Sequence, residues 1–185
     1  MIFTSDHGYN IGHHGIHTKG NGNWCTTDKK GVRPNMWDTS LRIPLIIRWP
    51  GVIKPGAVYT EWATNQDTFP TILAMAGLHN PKGWKGEGHD LTALLRGKPY
   101  AKREVLFGQY DIANTASQKL RMIRTKDWKL VRHYTVKDQD ELFDLVKDPG
   151  ELENLYTDDA KKAVREELQA KLNAWMKSIA DPVAK

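Results

Sequence analysis

Met1-Ile2-Phe3-Thr4-Ser5-Asp6-His7-Gly8 opens the chain with an apolar run that ends on a carboxylate, an imidazole and a glycine. Residues 2–5 read as the end of a buried strand, and in open α/β sheets ligands collect outside the carboxyl ends of strands. Asp and His form a metal-ligand pair when both point into one crevice, which makes Asp6 and His7 candidate ligands. Taken alone, Asp6 reads first as a helix or turn cap and His7 as a satisfied core histidine. The chain opens inside what reads as a core strand, so a domain entered partway through is expected.

Working outward, composition bounds the answer. A chain of 185 residues can form one domain or one and a half, burying roughly 70% of its unfolded surface. Seven Trp, six Tyr and four Phe in a 39% hydrophobic chain argue for a folded protein. No apolar run approaches the ~20 residues that span a bilayer, and no signal-peptide pattern opens the chain. The formal charge of +5 is spread along the sequence. Nucleic acid and membrane are therefore not expected partners, and the short cluster Lys29, Lys30 and Arg33 reads as a solvated loop. Cys25 is the only cysteine, which excludes an intramolecular disulfide and a multi-thiolate zinc site.

Glycines at 8, 12, 15, 20 and 22 mark a long irregular segment reaching about Pro34, and a loop of that length is usually functional or disordered. A short helix is predicted over Asn35–Leu41 and a second buried strand over Leu45–Trp49, closed by Pro50-Gly51. Thr60–Thr64 reads as a further short strand. Asn65–Ala76 reads as a helix, with Asp67 near its start, Pro70 in the first turn, and Gly77 as its stop. Its inward face is expected to carry Phe69, Ile72, Leu73, Met75 and Ala76. Leu91–Leu95 is predicted as a short amphipathic turn. Beyond residue 100 the texture becomes alternating, which predicts strands over Glu104–Gln109, Gln118–Arg124, Trp128–Tyr134 and Glu141–Leu145, in a small antiparallel sheet. The tail from Asp158 to Ile179 is predicted helical, with Ala163, Leu168, Leu172, Trp175 and Ile179 on the face that packs over that sheet.

Several motifs in fixed order carry a resemblance: Phe3-Thr4-Ser5-Asp6-His7-Gly8, Gly12-His13-His14-Gly15, Thr18-Lys19-Gly20, and Ser40-Leu41-Arg42-Ile43-Pro44-Leu45-Ile46-Ile47-Arg48-Trp49-Pro50-Gly51. Asp67-Thr68-Phe69-Pro70-Thr71-Ile72-Leu73, Glu141-Leu142-Phe143-Asp144-Leu145 and Asp148-Pro149-Gly150-Glu151 follow in turn. Together they resemble the C-terminal portion of the formylglycine-dependent sulfatases of the alkaline phosphatase superfamily. The resemblance implies the later part of a mixed-sheet α/β sandwich over residues 1–100. A small antiparallel sheet with a terminal helix would follow over 101–185.

By position, the resemblance assigns Asp6 and His7 to a divalent metal, calcium ahead of manganese or zinc, and Lys19 to contact with the sulfate group. Calcium prefers oxygen, so Asp6 suits it better than His7 does. Lys19 would be both a substrate-binding and a catalytic group, holding negative charge near a leaving oxygen. His14 and His17 flank it as candidate proton donors or substrate contacts, with ordering of the loop as the plainer alternative. Trp24 and Trp37 are candidate sugar-stacking platforms, against core packing as the commoner fate of a Trp.

The sequence also departs from the family. Sulfatases carry a cysteine, oxidised to formylglycine, in a motif of the form Cys-x-Pro-Ser-Arg, and this motif is absent. Cys25 is followed by Thr26-Thr27-Asp28-Lys29 and does not replace it. The family's N-terminal Asp-Asp metal pair is missing too. The expectation is thus a sulfuric ester hydrolase fragment, inactive alone. Its longer form would cleave sulfate esters, notably of sulfated carbohydrates, in a periplasmic, secreted or lysosomal setting. The competing readings are a phosphonate or phosphodiester hydrolase of the same superfamily, and a non-catalytic anion- or glycan-binding remnant.

Overall fold

Alternation of apolar and polar residues after residue 100 builds a four-stranded antiparallel sheet. A computed structural model describes residues 1–20, 34–113, 117–135 and 140–184. Contact density divides the chain into two compact units, Met1–Asp6 with Pro44–Arg103, and His7–Ile43 with Glu104–Lys185. This differs from a linear division at residue 100. Residues 7–43 join the C-terminal sheet because their Met36, Trp37 and Asp38 are buried among its side chains.

The first unit contains strand β1 (Ile2–Thr4), β2 (Leu45–Ile47), helix α2 (Thr68–Met75) and the one-turn helix α3 (Thr92–Leu95). β1 and β2 pair antiparallel with Ile2 opposite Ile47, Phe3 opposite Ile46 and Thr4 opposite Leu45. Both strands were expected to be buried. Instead Phe3 is 56% and Ile46 55% exposed, because side chains alternate across a strand and this two-stranded ribbon is covered on one face only. Helix α2 departs from expectation in the same way. Phe69 (47%) and Ile72 (48%) face outward and Ala76 is exposed, while Leu73 and Met75 are half-buried and Pro70 and Thr71 are buried. Thr71 lies inward because its hydroxyl accepts the Leu91 N–H at 3.0 Å.

Residues 60–64 form no strand. That segment leads instead into a 3₁₀ turn, Asn65–Asp67, that starts α2. Asp67, fully buried, accepts the N–H of Thr64 (2.7 Å) and of His89 (2.7 Å), and both terminal nitrogens of Arg103 (2.7 and 2.6 Å). One carboxylate thus caps the helix, holds the 87–91 loop and pairs a guanidinium. Gly77 adopts φ 73° and closes α2 as predicted, with the Leu78 N–H reaching the Leu73 carbonyl at 2.8 Å.

In the second unit, β3 (Leu106–Ala113), β4 (Ser117–Arg124), β5 (Trp128–His133) and β6 (Glu141–Asp144) form an antiparallel meander in chain order. Helix α4 (Lys162–Ser178) packs on one face through Leu168, Leu172 and Met176, against Ile123, Leu130 and Leu142. The expected apolar stripe is therefore shifted: Ala163 is exposed, Trp175 and Ile179 are half-buried, and Met176 joins the core. The other face receives Ile16, Met36 and Trp37, with the short helix α1 (Asp38–Leu41) beside them. Among the described residues no helix is long and apolar enough to cross a membrane.

Lys129 sits fully buried in β5. Its ammonium lies 2.5 Å from Asp38 Oδ1, 2.5 Å from Glu151 Oε1 and 3.0 Å from the Met36 carbonyl. Arg124 completes the cluster, its Nε and Nη2 donating to the two Asp38 oxygens at 3.1 and 2.8 Å. Burial pushes the Asp38 carboxyl up, but the Arg124 and Lys129 bonds outweigh it and hold its pKa below the ordinary value. Burial prevails at Glu151, whose pKa is raised despite Lys129.

Two outcomes follow for stability. Lys129→Met strands the Glu151 carboxylate in the core and should cost about 3–5 kcal/mol in urea unfolding, partly recovered by adding Glu151→Leu. A single variant as stable as the parent would contradict the clamp. The Asp67 carboxyl is also held low, Arg103 and the two backbone donors outweighing burial. Its contribution is therefore complete above the unfolded value of about 3.9, and is lost as pH falls through the lower folded value. Asp67→Asn should consequently flatten the acid limb of the pH–stability curve below about pH 4, and an unchanged limb would refute the assignment.

Candidate functional site

The loop that carries the candidate residues is fixed by amide and hydroxyl side chains. Asn10, fully buried, donates to the Thr18 carbonyl (2.9 Å) and to Ser40 Oγ (2.8 Å), and accepts from Thr39 Oγ1 (2.5 Å). Ser40 in turn donates to Asn35 Oδ1 at 2.8 Å, which also accepts the Trp37 N–H at 3.1 Å. Backbone bonds run from Asn10 N to the Thr18 carbonyl and from Asn35 N to the Gly20 carbonyl. Thr18 and Gly20 are buried, while Lys19 between them is exposed. The knot therefore holds the backbone on both sides of Lys19 and leaves its ammonium stem in solvent.

Gly8 belongs to the same construction. Its N–H donates to the Ser40 carbonyl at 2.8 Å, and a Cβ at this position would fall 2.3 Å from the Thr39 carbonyl oxygen. Only a residue without a side chain fits there, which is why the Asp-His motif is followed by glycine.

His14 and His17 have different surroundings. The His14 ring stacks on Trp37 with centroids 3.8 Å apart and 14° between planes. It is half-buried at φ 53°, and burial lowers its pKa against the opposing pull of Glu141. A lowered pKa keeps the ring neutral near pH 7, suited to exchanging a proton or donating a hydrogen bond. His17 is exposed and meets the Tyr9 ring edge-on at 5.5 Å. Trp37 is only 9% exposed, in a cluster with Ile16, Phe143 and Leu145, so its ring serves packing and His14 rather than an open sugar platform. Trp24 and Cys25 lie outside the described residues.

Asp6 ends the first segment of the first unit, and His7 begins the second unit. Asp6 is exposed, next to Ser5, whose hydroxyl reaches Asp6 Oδ1 at 3.4 Å. The Asn65 amide donates to the Ser5 and Asp6 carbonyls at 3.1 and 3.3 Å. His7 Nδ1 is 2.7 Å from the Gly8 carbonyl. A carbonyl only accepts, so Nδ1 carries the proton and Nε2 holds the lone pair in the neutral ring, the tautomer that suits a metal ligand. Two donors, one of them nitrogen, fall far short of the roughly six to eight oxygens calcium takes. Among the described residues no group of three or more His, Cys, Asp or Glu could hold a metal ion. The residues present do not by themselves fit a calcium ion.

Sequence reasoning did not find Asn10, Asn35 or Ser40, nor the Asp38–Lys129–Glu151–Arg124 cluster. The available signals were a charged Lys129 inside an alternating strand, and amide residues bracketing a glycine-rich loop.

Residues 22–178 match the family described as N-sulphoglucosamine sulphohydrolase, C-terminal. Asp6, His7, His14, His17 and Lys19 precede that match. An N-acetylglucosamine-6-O-sulfatase of Bacteroides thetaiotaomicron is 31% identical over 159 residues, covering 84% of this chain and 26% of that protein. A structure solved in complex with its substrate D-glucosamine-2-N,6-O-disulfate superposes with TM-score 0.79 at 29% identity, covering 100% of this chain and 35% of the other. The phosphonate monoester hydrolase of Agrobacterium radiobacter superposes with TM-score 0.75 at 28% identity, covering 96% and 34%. The chain thus spans about a third or less of the length of these relatives. The family match over residues 22–178, with the antiparallel sheet and C-terminal helix and the ordered motifs from Phe3 to Glu151, identifies the chain as a member of the sulfatase family in the alkaline phosphatase superfamily, corresponding to the family's C-terminal portion.

Proposed function

We propose that the chain is the C-terminal portion of a sulfuric ester hydrolase acting on sulfated carbohydrates, and that it supplies the sulfate contact but not the nucleophile. The observation that carries this reading is likeness along the whole chain to a protein solved with a disulfated glucosamine. On this reading residues 1–100 are the later part of the catalytic α/β domain, and 101–185 the subdomain that follows. Lys19 stands on an anchored loop with its amine in solvent, an arrangement suited to a sulfate oxygen whose charge grows as the ester bond breaks. His14, braced on Trp37, would act from the same loop as a proton-exchanging or hydrogen-bonding group, and His17 as a solvent-facing one. Trp24 is proposed as a substrate contact.

Asp6 and His7 would supply two ligands to a divalent metal, calcium by family, with the remaining ligands from elsewhere. The nucleophile would be a formylglycine that this sequence does not contain. A periplasmic, secreted or lysosomal setting accords with the family.

The phosphonate monoester hydrolase likeness favours one second reading, hydrolysis of phosphonate monoesters or phosphodiesters. Turnover separates the two. The chain alone should hydrolyse neither an aryl sulfate nor a phenyl phosphonate. Joined to the N-terminal portion of the Bacteroides relative, it should hydrolyse the sulfate, and Lys19→Ala should lower kcat by about 10²–10³. Turnover by the chain alone, or a joined protein indifferent to Lys19→Ala, would sink the proposal; preference for the phosphonate would select the second reading.

A further inference from the structure

Helix α4 carries a second polar feature, remote in sequence from the Lys19 loop. Arg165, Gln169 and Asn173 recur at four-residue spacing beside the buried stripe of Leu168, Leu172 and Met176, so they line up along one flank of the helix. With Glu166, Tyr156 and Arg132 they line an open cleft of about 340 Å³. That volume falls within the roughly 300–1,000 Å³ of small-molecule sites.

Existing bonds already set the polar groups in place. Arg132 pairs with Asp140 through Nε at 2.9 Å, and a second nitrogen donates to Gln169 Oε1. Gln169 donates onward to Asn173 Oδ1 at 2.7 Å. Arg165 lies 5.2 Å from the Tyr156 ring centroid, and its Nη1 donates to the Tyr156 carbonyl. The two arginines differ in charge balance. Arg132 has a carboxylate, whereas among the described residues Arg165 has no acidic partner within ion-pair distance. Glu166 lies on the rim with Lys162 at 3.9 Å.

This donor set has a definite chemistry. An unpaired guanidinium offers a fork of N–H donors that matches a sulfate or carboxylate. Beside it, two amides and a carboxylate donate to and accept from hydroxyl groups. A row of phosphates would require several cations in line, and the cleft presents one uncompensated cation next to Glu166. An anionic sugar unit satisfies the whole set: its charged substituent on Arg165, its hydroxyls on Gln169, Asn173 and Glu166.

We propose that this cleft on α4 binds one anionic saccharide unit, held at its sulfate or carboxylate by Arg165. The choice of a sulfated sugar as probe rests on the sulfated-carbohydrate reading above, whereas the cleft's own donors call only for an anion with hydroxyl neighbours. On a polymeric substrate the site would grip a unit of the glycan apart from the ester being cleaved.

Binding is measured on the 185-residue chain without turnover, so its result is independent of whether the longer protein is a sulfatase. ¹H–¹⁵N spectra would follow titration with N-acetylglucosamine 6-sulfate and, in parallel, with glucuronate, unsulfated N-acetylglucosamine and sodium sulfate. Saturable shifts of the Arg165 Nε–H and the Gln169 and Asn173 amides are expected with the sulfated sugar, with glucuronate, or with both. The first supports a sulfate ligand and the second a carboxylate. Neutral sugar and free sulfate should bind at least about tenfold more weakly. Arg165→Gln, which keeps most of the side-chain stem, should weaken binding by about tenfold, the scale of one charged hydrogen bond. Lys19→Ala should leave the shifts of the Arg165, Gln169 and Asn173 groups unchanged. Sugar binding that survives both Arg165→Gln and Asn173→Ala would overturn the assignment. So would shifts confined to the Lys19 loop, free sulfate binding as tightly as the sugars, or no saturation by either anionic sugar.

Discussion

The ammonium of Lys129 is the point on which the second unit depends. It is enclosed on the inner face of the sheet by two carboxylates from distant parts of the chain, Asp38 and Glu151, with Arg124 balancing the extra negative charge. A buried charge is costly unless it is paired and hydrogen-bonded. The sheet therefore cannot keep Lys129 inside without drawing α1 and the Asp148–Glu151 turn onto it. Glu151 adopts φ 56°, a left-handed conformation unusual for a side-chain-bearing residue, and its Oε2 accepts the Asp38 N–H at 2.5 Å. Electrostatics and turn geometry thus meet in one residue.

From α1 the constraint passes to the functional loop. Asp38 follows Trp37, on which His14 stacks, and precedes Thr39 and Ser40, which hold Asn10. Asn10 and Asn35 then fix the backbone on either side of Lys19. Around Lys19 the buried backbone groups are paired within the protein: the Thr18 carbonyl accepts from the Asn10 N–H and side-chain amide, and the Gly20 carbonyl accepts from the Asn35 N–H. Residues 18–20 can therefore present a cation from a held backbone outside any helix or strand.

The local periodic features were legible in the sequence. The four-strand meander, the terminal helix, the Gly77 stop and the role of Asp67 at a helix start all follow from alternation, 3.6-residue spacing and cap chemistry. The chemical motifs were legible through their order along the chain. What escaped the sequence was long-range pairing, since Lys129 and Asp38 are 91 residues apart and Asn10 and Ser40 30 apart, and no local pattern links such residues. Burial in the first unit escaped it too. Apolar Phe3, Ile46, Phe69 and Ile72 read as core from their spacing, yet periodicity identifies a face and not what covers it.

The backbone on either side of Lys19 is held as a fixed part of the unit built on the antiparallel sheet. Native-state hydrogen exchange tests it directly at the amides of Gly8, Asn10 and Asn35, which donate to the Ser40, Thr18 and Gly20 carbonyls. These three amides should exchange with protection comparable to that of Met122 and Val131 in the sheet core, and Lys129→Met should lower the protection of both groups together. Exchange of the loop amides at unprotected rates while the sheet stays closed would contradict it.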